Sequence, residues 1–107
     1  MKTRNSILEG LSFIKEGFLR SKDLKPLEKD FVKFVEGLKV WTDDIGIYND
    51  SFMVYLSGDW KHDHLRLKIN VIDYFEKMGY EVEHREVVDG ESDSDDYSAT
   101  HYFKLRK

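Results

Sequence analysis

The chain contains no cysteine, only one proline, and no apolar run of the length that crosses a bilayer. Without cysteine there is no disulfide, no thiolate metal ligand and no cysteine nucleophile, a composition that suits a reducing compartment. A membrane helix needs about 20 consecutive apolar residues. Near the start, Glu9, Lys15 and Glu16 interrupt the apolar residues, whereas a secretory signal needs an unbroken apolar core. Asn49-Asp50-Ser51 matches the glycosylation sequon, which has no role without a secretory route. The expectation is therefore a cytoplasmic protein without a membrane segment. Also missing are a phosphate-binding glycine loop, a nucleophile elbow and a paired HExxH motif. No catalytic residue is assigned on this basis and no cofactor is called for, which leans against an enzyme.

What is present suffices for one core. The 107 residues are 40% hydrophobic and include two tryptophans, six tyrosines and seven phenylalanines. A disordered chain is poor in such residues, and this length matches a single domain, residues 1–107. The net charge of −4 is unevenly spread: residues 1–40 carry nine Lys/Arg against six Asp/Glu, residues 41–107 eight against fifteen. An acidic C-terminal part argues against nucleic acid, whose phosphates attract cations. It favours a protein partner with a basic surface. Five carboxylates crowd into Asp89–Asp96, DGESDSDD, a segment without an apolar anchor that reads as an exposed loop.

Periodicity supplies the elements. A first helix is expected from about Ser6 to Arg20, with Ser6 and Glu9 at capping-box spacing and Ile7, Leu8, Leu11, Ile14 and Phe18 on one face. A second starts near Pro26, after a short Ser-Lys-Asp link, and carries Leu24, Leu27, Phe31, Phe34, Val35 and Leu38. From Ile45 the period becomes two. Ile45 and Ile47, the turn residues Asn49-Asp50, and Phe52, Val54 and Leu56 describe a hairpin. A third helix follows from an N-cap at Asp59 through Met78, stopped by Gly79. Its apolar arc comprises Trp60, His64, Leu65, Ile69, Val71, Ile72, Phe75 and Met78. Tyr80–Val88 and Tyr97–Arg106 are strands around the acidic loop. The order α-α-β-β-α-β-β predicts an α+β fold: two N-terminal helices, a β-hairpin, a long helix and a C-terminal hairpin, with one mainly antiparallel sheet covered by helices.

The histidines are the main chemical signal. If Val88 and Tyr97 close the last hairpin, His84 lies opposite His101 and Val82 opposite Phe103. His64 sits mid-arc on the third helix, which packs on the same face. His64, His84 and His101 then converge near Glu86, a donor set that suits zinc or another divalent ion. The expectation is nevertheless structural histidines, half-buried and hydrogen-bonded. His62 and His64 do not chelate together, because on a helix they point about 200° apart. Lys61 and His62 at a helix start oppose the helix dipole. They form either an anion site or, the favoured alternative, ion pairs with Asp59, Asp63 or the acidic loop.

Two patches, Gly58–His64 (GDWKHDH) and Ser94–His101 (SDDYSATH), carry a resemblance. The chain from Gly58 onward resembles uncharacterised small proteins of bacteria and their phages that contain similar segments in this order. The resemblance implies one unit formed by both patches, on a phage-encoded accessory protein, and assigns no activity. Three functions follow, in order. The first is a small intracellular protein-binding or regulatory factor, acting on a host protein through Glu91, Asp93, Asp95, Asp96, Lys61 and His62. The second is a metal-binding protein or metal-dependent enzyme using His64, His84 and His101. A winged-helix DNA binder is third, disfavoured because its wing would be the acidic loop. Glu91–Asp95 fails as a calcium loop, since Asp96 stands where glycine is required and Tyr102 where glutamate is. The sequence leaves the oligomeric state open.

Overall fold

A computed structural model describes residues 17–57, 61–89 and 98–107. They form α1 (Ser21–Gly37), β1 (Asp44–Tyr48), β2 (Ser51–Leu56), α2 (Lys61–Lys77), β3 (Glu81–Val88) and β4 (Ala99–Arg106). The strands make one antiparallel sheet in the order β1-β2-β4-β3, so the expected α+β class holds. α1 packs on β1 and β2, and α2 on β3 and β4. No helix among the described residues is long and apolar enough to cross a membrane.

The N-terminal half departs from expectation in two ways. Residues 6–16 of the expected first helix lie outside the described residues, and Gly17–Arg20 are not helical. Instead Phe18 bridges Arg106, and the Leu19 N–H donates to the Leu105 carbonyl at 2.8 Å. The Ser-Lys-Asp link is also the first turn of α1 rather than a connector. Asp23 accepts from the Arg20 N–H at 3.0 Å. Ser21 donates to Asp50 Oδ1 from its backbone at 2.7 Å and from its hydroxyl at 2.9 Å, and the Asp50 N–H returns a bond to Ser21 Oγ at 3.1 Å. These bonds begin the helix one turn before Pro26, which lies inside it at an exposed position. A carboxylate at a helix N-terminus also complements the dipole. Hydrogen bonds from Ser21 hold the Asp50 carboxyl below its ordinary pKa.

The same aspartate closes the first hairpin. Tyr48 pairs with Ser51, leaving Asn49 and Asp50 as a two-residue turn with φ of 49° and 62°. Positive φ at both positions is the primed turn that matches strand twist. α2 ends as the sequence predicts. Gly79 takes φ 96°, the Tyr80 N–H reaches the Phe75 carbonyl and the Gly79 N–H that of Glu76, the pairing of a Schellman cap.

The core is aromatic at its centre. Phe31, Phe52 and Phe75, all fully buried, stack with ring centroids 4.4–5.7 Å apart, joining α1, β2 and α2. On α2 the buried residues are His64, Leu67, Val71 and Phe75, a narrow stripe at helical spacing. Leu65 and Ile69, expected inside, are each 55% exposed, and Met78 is 47% exposed. Stacking of Tyr74 on Phe34 of α1, centroids 4.2 Å apart, turns α2 so that Leu67 enters the core in place of Leu65 and Ile69. Phe75→Ala should cost about 3–5 kcal/mol, because its cavity opens in the stacked cluster. The half-buried Ile72→Ala should cost under about 2 kcal/mol. Urea denaturation midpoints check both, and equal losses would contradict this packing.

Candidate functional site

β4 is an inner strand, and alternation along it sends Ala99, His101, Phe103 and Leu105 toward the helices. His101 is thereby 1% exposed. Its strand neighbours are Val54 on β2 and Glu86 on β3. α2 brings His64, 5% exposed, onto the same spot. His64 Nδ1 lies 2.8 Å from His101 Nε2, and His84 Nε2 lies 2.9 Å from His101 Nδ1.

The three expected histidines do converge, but by a different register. Val88 pairs with Ala99, placing His84 opposite Phe103 and Glu86 opposite His101. The expected pairing of His84 with His101 is two residues out. A slip of two keeps every side chain on its face, so the meeting survives as a diagonal contact. The expected register would also have set Asp96 opposite Asp89, an unfavourable like-charge pair. Ending the ladder at Ala99 avoids that, with the Asp89 N–H bonded to the Ser98 carbonyl at 2.7 Å.

A neutral imidazole has one N–H and one lone pair. His101 therefore donates to one neighbour and accepts from the other, and the two bonds share one direction. Either His84 Nε2 donates to His101 Nδ1 and His101 Nε2 to His64 Nδ1, or both bonds reverse. Burial, helped by His84, His64 and Lys68, holds the His101 pKa down to about 4, against an opposing pull from Glu86. His84 is lowered as well, by burial and then by Lys68, with Glu86 again opposing. Lys68 sits one turn beyond His64 on α2, a spacing visible in the sequence but not used by the histidine expectation.

Glu86 completes the group. One ligand atom from each of His64, Glu86 and His101 lies within 4.8 Å of the others, and Glu86 is the exposed member. His84 stands behind His101 on its second nitrogen. Two depressions of about 240 and 280 Å³ open on the opposite face of the sheet, around Tyr48 and Tyr102, and neither is lined by these four residues.

Glu91, Asp93, Asp95 and Asp96 lie outside the described residues, as does the Lys61 side chain. His62 is exposed, with Nε2 3.5 Å from Asp63 Oδ1. Comparison of the chain with protein-family models, curated proteins and solved structures finds no match.

A depressed histidine pKa makes stability depend on pH. Between the ordinary 6.5 and about 4, the unfolded chain binds a proton at His101 that the folded one refuses. Stability is then full above pH 6.5 and lost as pH falls toward 4. The loss in metal-free protein should be on the order of 2 kcal/mol. Urea midpoints at pH 7.5 and 4.5 measure it, and His101→Phe should flatten the difference.

Proposed function

We propose that this protein binds a divalent transition-metal ion, zinc or one of similar preference, through His64, His101 and Glu86. The observation that supports it is the meeting of three ligand atoms from α2, β4 and β3 within 4.8 Å, with His84 hydrogen-bonded to the far nitrogen of His101. Two imidazoles and a carboxylate are a donor set that zinc accepts, and three protein ligands leave a fourth position open. His101 coordinates through Nε2 while its Nδ1–H donates to His84, the kind of outer hydrogen bond that orients a ligand ring and raises its basicity.

The 2.8 Å between His64 Nδ1 and His101 Nε2 is a hydrogen-bond distance. Two nitrogens on a tetrahedral zinc stand about 3.3 Å apart, from Zn–N bonds of about 2.0–2.1 Å. The ion therefore replaces the shared proton and spreads the rings by roughly half an ångström. That is a small movement for two side chains on separate elements. The reading assigns no reaction.

Calorimetry on chelator-stripped protein tests it directly. Zinc should bind one-to-one and raise the melting temperature. His64→Ala and His101→Ala should abolish both effects, and His84→Ala should weaken binding about 10–100-fold. Wild-type protein with no zinc-dependent shift would end the proposal.

A second reading rests on the uneven charge, eight Lys/Arg against fifteen Asp/Glu over residues 41–107. On it, the chain is a cytoplasmic regulatory factor whose acidic segment docks on a basic protein. Asp93, Asp95 and Asp96 changed together to Asn should slow association with such a partner and reduce its salt dependence. Unchanged kinetics would remove the segment from the interface.

A further inference from the structure

Among the described residues nothing pairs with the outer edge of β3, which ends the sheet with eight residues of backbone. An open edge of that length is a template for another strand. β3 contains no proline or lysine, and Val87 and Val88 are 44% and 41% exposed.

The helix above adds an apolar side. Tyr74 turns one flank of α2 toward Phe34 of α1, and His64, Leu67, Val71 and Phe75 face the core. Leu65, Ile69 and Ile72, at i, i+4 and i+7, lie about 100° further round, on the flank away from α1. Since α2 packs on β3 more than on β4, that flank overhangs the open edge. Leu65 and Ile69, more than half exposed, thus lie on the side of α2 toward the open edge of β3.

The charges of β3 choose the occupant. Two copies of one strand, paired antiparallel about a two-fold axis, must set residues of the same parity opposite each other. Centred on Glu83, the pairing opposes two glutamates; centred on Arg85, it opposes two arginines and sets Glu81 against Asp89. Centred on Val82 it sets Glu81 against Glu83, and centred on Glu86 it opposes two more glutamates. Centred on His84, it places the two His84 residues opposite each other, Glu83 opposite Arg85 twice, Val82 opposite Glu86, Tyr80 opposite Val88 and Glu81 opposite Val87. That register opposes no like charges.

We propose that the occupant of this edge is a second copy of the chain: β3 pairs with β3 about His84, giving a continuous eight-stranded sheet, and the Leu65–Ile69–Ile72 flanks of the two α2 helices close over the seam. Cross-strand ion pairs set the register, and the apolar flank supplies the driving force. The interface needs no metal, so its test is independent of the site at His101.

Sedimentation equilibrium on chelator-stripped protein tests it. The wild type should approach the mass of two chains as concentration rises. Ile69→Glu, at an exposed position, should weaken association at least about tenfold by placing a carboxylate in the apolar seam. Arg85→Glu should weaken it comparably, by opposing Glu83, and the swap Glu83→Arg with Arg85→Glu should restore it. Circular dichroism of each variant shows that the fold is retained. A wild type that keeps the mass of one chain throughout would overturn the proposal. So would an Arg85→Glu variant that associates as well as wild type, or a swap no better than Arg85→Glu alone.

Discussion

A buried imidazole whose two nitrogens both need partners is the constraint on which the arrangement turns. His101 has lost essentially all contact with water, and leaving either nitrogen unpaired would cost about 1–3 kcal/mol. Both partners are imidazoles from other elements, His64 on α2 and His84 on β3. The phase of α2 over the sheet and the register of the last hairpin are therefore tied to one residue. A rotation of α2 that buried Leu65 would carry His64 away from His101.

Hydrophobic packing pulls the same way. The stacked Phe31, Phe52 and Phe75 fix the depth at which both helices sit, and Phe34 on Tyr74 fixes their flanks. Together these contacts choose His64, Leu67, Val71 and Phe75 as the inward stripe. Leu65 and Ile69 are left more than half exposed. At the opposite end, Asp50 serves both the first hairpin and the start of α1, so one carboxylate closes two elements.

The parts of this fold legible in the sequence are those set by strong local signals. Alternation at Phe52-Val54-Leu56 and Ala99-His101-Phe103-Leu105, the Asn49-Asp50 turn and the Gly79 cap each carry their own geometry. What escaped was tertiary. The start of α1 depends on Asp50, 29 residues from Ser21. The inward face of α2 depends on Phe34 rather than on its own composition, which offers more apolar residues than one face can hold. The hairpin register depends on where pairing stops before the acidic segment. For the site, alternation alone placed His84 and His101 on one face, and the two-residue slip left that unchanged. The pairing of Glu86 with His101, which brings a carboxylate into the group, required the register itself.

The identity of the residues at the cluster is itself an argument about function. Phenylalanine at the position of His101 would need no partner and would extend the aromatic packing already made with Phe103, whose ring centroid is 6.4 Å away. Apolar replacement of a buried polar group together with its partners is often neutral or stabilising. For stability alone, three apolar rings would serve at least as well as three imidazoles. What phenylalanine does not supply is a lone pair on a neutral ring, held in place by a hydrogen bond behind it and open on one side through Glu86. Each ligand comes from a separate element, so an ion bound there cross-links α2 to both strands of the last hairpin. It would bind the folded chain in preference to the unfolded one, and mass action would convert its affinity into fold stability. On the proposed reading, ion binding would recover the stability lost to a polar core. On that reading, metal-linked folding accounts for three imidazoles at this point of the core.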